Sequence, residues 1–275
     1  MTMKYELSIY LEGAGLLGPG LQGWPASVPL LSSPSAYARL PLEIPVSDCL
    51  PPAERRRVGA QVKIALAVGR EAAMQSQRDA GTLASVFSAA SGDGDNCHAI
   101  CEALAGPDRL ISPTRFHNSV HNAAAGYWGI AMKCMAPSTS LCAHDGSFAA
   151  GLLEAAVQAR SNNTAVLLVA SDAPYPEPLN TARPIGCSFG VGLVVAAERS
   201  DRSIARLRLS LTNACPSILS YAALERLRTD VPAARALPLL QRLASGTALA
   251  GSVHLHYLDA CALTVELENV LEIGA

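Results

Sequence analysis

Four side chains between Ser138 and Val157, in the stretch STSLCAHDGSFAAGLLEAAV, are of types that do chemistry. Cys142 and Ser147 are candidate nucleophiles, His144 a candidate base, and Asp145 the carboxylate beside it. Their flanks read as a β-branched strand, a tight polar turn and a helix of small residues, which is a common way to present a nucleophile. If the strand runs through Cys142, alternation puts Cys142 and His144 on one face. Asp145 then falls at the strand-to-helix corner. A carboxylate suits that corner for a simpler reason too: it can cap free backbone N–H groups and meet the positive end of the helix, which contributes about 1 kcal/mol.

Two other constellations are weaker. Gly186 to Gly190, GCSFG, matches the Gly-x-Ser-x-Gly elbow of hydrolases. That elbow needs a strand before it and a helix after it, whereas here Pro184 precedes and a valine-rich strand follows. His254 and His256 share one face of a strand at the spacing of metal ligands, but only Asp259 lies nearby and no residue completes the set, so an exposed strand face is the expectation. No metal and no cofactor is expected.

The elements that must position these residues follow from periodicity. Residues 5–11 alternate as an opening strand, and GAGLLGPG reads as a glycine-rich turn. Seven prolines between 25 and 52 predict an irregular excursion without helix. Residues 51–75 predict one helix with proline at its start, and 83–90 a buried strand. The Asp93–Asp95 loop reads as a turn before a helix at CHAICEAL, with Cys97 and Cys101 packing on its face. SPTRFHNSVHNAAAGYWGIAMKC predicts a closely packed helix, and 164–172 a strand covered on both faces. Residues 189–198 and 203–211 read as a hairpin, with Leu207, Leu209 and Leu211 inward and Arg206, Arg208 and Ser210 outward. A helical stretch near 217–244 and a final strand from Val253 close the chain. Helices alternating with buried strands predict an α/β layered fold.

Composition narrows the function classes. The 275 residues are half hydrophobic and 16% charged, enough for a sizeable core. With 21 basic against 23 acidic residues and no basic stripe, nucleic acid is not an expected partner. Arg55, Arg56 and Arg57 read as the solvated start of a helix. The N-terminus is interrupted by acidic residues before any apolar core of a secretory signal, and no run is long and apolar enough to span a membrane. Asn162-Asn163-Thr164 therefore means little as a glycosylation pattern, and a cytoplasmic location is expected. The eight cysteines sit mostly in apolar settings without Cys-x-x-Cys, so reduced, buried thiols are expected.

The order of these segments resembles the N-terminal half of the β-ketoacyl synthases, the condensing enzymes of fatty acid and polyketide synthesis. LPPAERRRVGAQVKIALAVGREA looks like their first long helix. ALAGPDRLISPTRFHNSVHNAAAGYWGIAMKCMAPSTSL resembles their L-x-G-P-x-x-V-S-P stretch, small-residue helix and G-P-S. ARPIGCSFGVGLVVAAE is similar to their hairpin after R-P-F, and the likeness covers residues 1 to about 210. It implies a thiolase-like layered fold, mostly the N-terminal repeat with a truncated second repeat. Residues 1–212 would form the ketosynthase N-terminal-like domain and 213–275 a shortened extension packed on the same core.

The departures from the family carry the functional reading. The family's nucleophilic cysteine stands eight residues past the proline that opens the strand; counted from Pro137, that position is Asp145. Neither family histidine context, H-G-T-G-T or G-H, occurs among the six histidines. The resemblance therefore implies a non-catalytic, chain-length-factor-like partner of a full-length ketosynthase, of the shortened kind found with aryl polyene and xanthomonadin-type pigments. It would shape the acyl pocket of the heterodimer and meet acyl carrier protein only indirectly. By position, Phe116, Val120, His121, Ala123, Ala124 and Tyr127 would line or border that pocket. Ser138, Thr139, Ser140, Leu141 and Cys142 would form the strand paired across the dimer axis. A shortened second repeat would leave an apolar helix face open, in keeping with the positive mean hydropathy. The alternatives are a thiolase-fold acyltransferase or thioesterase using Cys142 with His144, and a stand-alone homodimer that binds acyl chains or carrier protein without chemistry.

Overall fold

A computed structural model describes residues 6–246 and 250–270. Tyr5 of the expected opening strand, and residues 247–249 and 271–275 of the expected extension, lie outside them.

The opening strand, β1 (Leu7–Gly18), does not stop at the glycines. It runs through them, because helix α3 (Ala60–Gln75) lies so close that side chains would collide. A Cβ on Gly13 would come within 2.3 Å of the Ala72 carbonyl oxygen, and one on Gly15 within 2.2 Å of that of Val68. The glycine-rich stretch is thus a site of close backbone approach and not a turn. After the two-residue strand β2 (Leu21–Gln22), the proline-rich segment opens with a nine-residue helix, α1 (Trp24–Ser32). Pro25 occupies its first turn, where no N–H is missed.

The single helix expected over 51–75 is two. α2 (Pro52–Arg55) ends before α3 begins, with Gly59 extended between them. The arginines straddle this break: Arg55 folds back onto the Asp48 and Leu50 carbonyls, and Arg57 pairs with Glu54. Strand β3 (Ala84–Ser88) and helix α4 (Gly94–Ala105) follow, with the Asp93 carboxylate capping α4 through the Asn96 N–H. The next expected helix also divides, into α5 (Pro113–Asn118) and α6 (Ala123–Met132). Asn118 causes the division, since its buried amide bonds the Arg57 carbonyl and receives the Tyr127 hydroxyl.

Strand β4 (Ser138–Leu141), a short turn at His144–Gly146, helix α7 (Ser147–Asn162) and strand β5 (Ala165–Asp172) complete the central motif. Every residue of β5 is buried, as its unbroken apolar run requires. After the one-turn helix α8 (Leu179–Ala182) come β6 (Phe189–Ala196) and β7 (Ala205–Thr212). They are not a hairpin: each pairs antiparallel with a different edge of β1. Leu207 and Leu209 point inward as expected, but Leu211 is exposed and Ser210 buried, because the covering layer ends before the end of β7. The C-terminal helices α9 (Ala222–Asp230) and α10 (Leu237–Ala244) lead to two strands instead of one, β8 (Gly251–Leu258) and β9 (Cys261–Glu268), turning at Asp259–Ala260.

The sheet order is β4-β3-β5-β6-β1-β7-β9-β8, with β2 off β1. One core cluster packs α3 and α6 on one face, and a larger one packs α7, α9 and α10 on the other. This is the layered α/β fold expected of a thiolase-like chain. The sheet curls so that α7 touches β3 and β5 on one side and β8 on the other. Helix α7 is therefore covered on both sides. Exposed apolar side chains gather elsewhere: Leu104, Leu110, Phe116, Val120, Ile130 and Met135 all fall between α4 and β4. Helix α4 has no buried residue at all, so Cys97 and Cys101 face outward and do not pack. None of the eight cysteines is bridged, yet only Cys134 is buried.

Candidate functional site

The site is the corner between β4 and α7. β4 ends at Leu141, one residue before Cys142, so the alternation that would pair Cys142 with His144 is lost. His144 adopts φ +50° and leaves its imidazole largely in solvent. The neighbour of Cys142 is instead His121 from the α5–α6 connection, with Sγ 2.7 Å from Nε2. Spacing along the strand could not reveal this pair, because His121 reaches it from 21 residues away. Burial, and then the negative Asp172, push the thiol pKa above the ordinary value.

Ser147 is a latch, not a nucleophile. Its hydroxyl is buried, accepts from the Ala143 N–H at 3.0 Å and lies 2.9 Å from the Ala89 carbonyl oxygen and 2.7 Å from that of His144. Gly146 is required by the next layer, since a Cβ there would sit 2.0 Å from the Tyr257 carbonyl oxygen of β8.

Asp145 does not cap α7. Its Oδ1 accepts from Arg183 Nη2 at 3.1 Å and its Oδ2 from Arg235 Nη2 at 2.9 Å. Arg183 comes from the β5–β6 connection and Arg235 from the turn at Ala233–Ala236. Burial alone would raise the Asp145 pKa, but Arg235 and then Arg183 outweigh it and hold the carboxyl below its usual range. Beneath this group lies Asp172, 2% exposed, accepting from the Ala90 and Ala233 N–H groups. Desolvation raises its pKa to about 6 against those two bonds. At the turn itself the corner holds a carboxylate neutralised by two arginines, with the Cys142–His121 pair to one side.

His256 lines the open cavity over Asp145, and burial followed by Arg235 lowers its pKa. His254 instead contacts the Thr264 hydroxyl, Nδ1 to Oγ1 3.0 Å. Both imidazoles are half-buried and do not form the exposed face expected. No cluster of three or more His, Cys, Asp or Glu among the described residues is placed to hold a metal. GCSFG runs into β6 with no helix after it, and the Gly186 N–H bonds the Asp230 carbonyl.

The residues expected to border an acyl pocket occupy one side of the corner. Phe116 and Val120 are exposed, while Ala123 and Ala124 are half-buried at the start of α6. Tyr127 is 2% exposed and turned into its own subunit. His121, Ala125, Gly126, Met135, Ser138 and Ser140 line a groove of about 620 Å³ between α6 and β4. Among the described residues β4 pairs with β3 alone, in parallel, and nothing described pairs with its other edge. The opposite sheet edge, β8, is plugged by the Ser217 segment, which exchanges bonds with His254.

Comparison with known proteins agrees with this architecture. Among curated protein sequences, none matches the chain. A chain of the ketosynthase (ApeO) in complex with its chain length factor (ApeC) from Xenorhabdus doucetiae superposes with TM-score 0.73 at 21% identity, covering 94% of this chain and 99% of that one. A chain of the ishigamide ketosynthase/chain length factor gives TM-score 0.69 at 15% identity, covering 96% and 99%. A chain of AntDE:AntF, a type II polyketide acyl carrier protein in complex with its ketosynthase, gives 0.74 at 12% identity, covering 97% and 100%. At these identities the likeness is one of fold. In sequence, the family described as "Beta-ketoacyl synthase, N-terminal domain" matches residues 33–251, and to that family the chain belongs.

Proposed function

We propose that this chain is a non-catalytic, chain-length-factor-like subunit that joins a full-length β-ketoacyl synthase and shapes its acyl pocket. The observation that carries the reading is Asp145. At the position counted for the family nucleophile stands a carboxylate bound by two guanidinium groups. Such a carboxylate, committed to two arginines, forms no stable thioester with an acyl chain. The thiol nearest the corner, Cys142, has its pKa raised, and its imidazole neighbour is not the one sequence spacing suggests. This weighs against an acyltransferase or thioesterase using Cys142 with His144.

The surface supports a partner. A bare strand edge at Ser138–Leu141 and the adjoining Cys142, flanked by exposed Phe116, Val120 and Met135, is what an isologous-type strand pairing would cover. The solved chains covered end to end, from the Xenorhabdus and ishigamide assemblies, are described as parts of ketosynthase–chain length factor complexes. In this reading Phe116, Val120, His121, Ala123 and Ala124 border the partner's pocket and Tyr127 backs their helix. Residues 213–275 act as an extension of the 1–212 domain. The growing chain is a conjugated acyl chain of the aryl polyene kind, delivered by acyl carrier protein to the partner in the cytoplasm.

Co-expression with a ketosynthase from the same gene neighbourhood tests this. The expected result is a 1:1 complex by light scattering, and no acyl adduct on this subunit by mass spectrometry after incubation with acyl carrier protein thioesters. A monodisperse monomer or self-contained homodimer with no affinity for that ketosynthase, or an acyl group on Cys142, would overturn it.

A further inference from the structure

We propose that Arg183 and Arg235 form a carboxylate-binding cradle that this chain fills with its own side chain, Asp145. One guanidinium serves each oxygen, at 3.1 and 2.9 Å. The two arginines come from segments far apart in sequence, and α9 and the Ala233–Ala236 turn bring Arg235 up from behind. No other ion pair of either arginine is found among the described residues. Arg235 is the more dependent of the two. Its side chain is only 17% exposed and its Nε is buried with no hydrogen-bond partner.

Around the pair, Tyr175 offers Arg183 a hydroxyl and no second carboxylate, and Asp259 lines the cavity without an ion pair to either arginine among the described residues. Arg228 is committed to Glu225, and Asp172 to two backbone N–H groups. His144 Nδ1 stands 3.7 Å from Oδ1 of Asp145, too far for a hydrogen bond, and His256 is disfavoured as a cation beside Arg235. Truncating Asp145 would therefore leave two like charges facing a hole. That hole opens to solvent through a cavity of about 380 Å³ lined by Ala143, His144, Gly146, His256 and Asp259. Two guanidinium groups, each directed at a different oxygen, favour a two-oxygen anion over a spherical one. The ligand class is a small carboxylate such as formate or acetate. Asp145 is in these terms a positioning residue: it ties the β4–α7 corner to the β5–β6 connection and to the C-terminal turn.

The test is chemical rescue, and it needs no partner protein, so its outcome is independent of the heterodimer. Asp145→Ala should lower the melting temperature by about 4–8 °C. Sodium formate at roughly 10–100 mM should restore most of that loss, rising with the logarithm of its concentration, while sodium chloride of equal ionic strength should not. Wild-type protein, its cradle already filled, should show no difference between the two salts. If Asp145→Ala responds to formate no more than to chloride, or if wild type gains as much, the cradle does not exist. A double-mutant cycle of Asp145→Asn and Arg235→Gln gives a second reading should the alanine variant not fold. Melting shifts that fall well short of additive support the cradle, and additive shifts refute it.

Discussion

Substituting Ser140 by proline probes the bare edge of β4 without touching its paired edge. In a parallel ladder, alternate residues of a strand bond to the same neighbour. The Ser85 N–H bonds the Pro137 carbonyl and the Ala89 N–H bonds that of Leu141, so Pro137, Thr139 and Leu141 face β3. Ser138 and Ser140 accordingly direct their N–H and C=O groups outward. Proline at 140 removes one outward donor, a net loss of about 0.5–1.5 kcal/mol on binding, and strands a carbonyl of the incoming strand at about 1–3 kcal/mol. Together they amount to roughly 2–4 kcal/mol, an affinity loss of about 30- to 1000-fold. The chain itself should hardly notice, because proline on a free edge breaks no ladder bond; the melting temperature should move by less than about 3 °C. Thr139→Pro is the control, since it removes an N–H directed at β3 and should destabilise the isolated subunit. Isothermal titration against the ketosynthase, with thermal melting of the subunit alone, separates the two effects. Unchanged affinity for Ser140→Pro would refute strand pairing at this edge, and equal melting losses for both variants would refute the register.

Four further outcomes follow from the corner. Because burial and Asp172 raise the Cys142 thiol, alkylation of Cys142 by iodoacetamide, followed residue by residue, should be slow at pH 7 and accelerate only above about pH 9; rapid labelling at pH 6–7 would show an activated thiolate. Gly146→Ala should cost about 2 kcal/mol or more, lowering the melting temperature by about 4 °C or more, since its methyl would meet the Tyr257 carbonyl oxygen at 2.0 Å; a neutral effect would mean that β8 can move away. The folded pKa of Asp145 is depressed, so its stabilising pairing is present above its unfolded value near 3.8 and is lost as the pH falls through the folded one. Asp172 has the opposite sign: raised to about 6, it makes stability fall as the pH rises from about 4 to 6, and Asp172→Asn should remove that component of the pH–melting curve.

Much of the architecture was written locally. The unbroken apolar run of β5, the apolar spacing of α3 and the small-residue start of α7 each announce their element, because burial on both faces or along one stripe imposes a period of its own. The failures share a cause. GAGLLGPG looked like a turn because glycine is ambiguous until its neighbour is known, and that neighbour is the backbone of α3. Residues 189–211 looked like a hairpin because nothing local says that β1 will insert between the two strands. The proline-rich segment concealed α1 because Pro25 sits in its first turn at no cost while Pro29, inside the helix, reads locally as a breaker.

By itself the amino-acid order determined the layered α/β class, the strand–turn–helix that frames the corner, and the presence of an acidic residue in its turn. Tertiary structure alone decided what that residue does. Local chemistry offers a carboxylate at a helix start the role of cap, worth about 1 kcal/mol, and two arginines converging from 38 and 90 residues away offer a stronger electrostatic alternative that only folding can assemble. The same holds for Cys142, whose partner could not be counted along a strand that ends before reaching it.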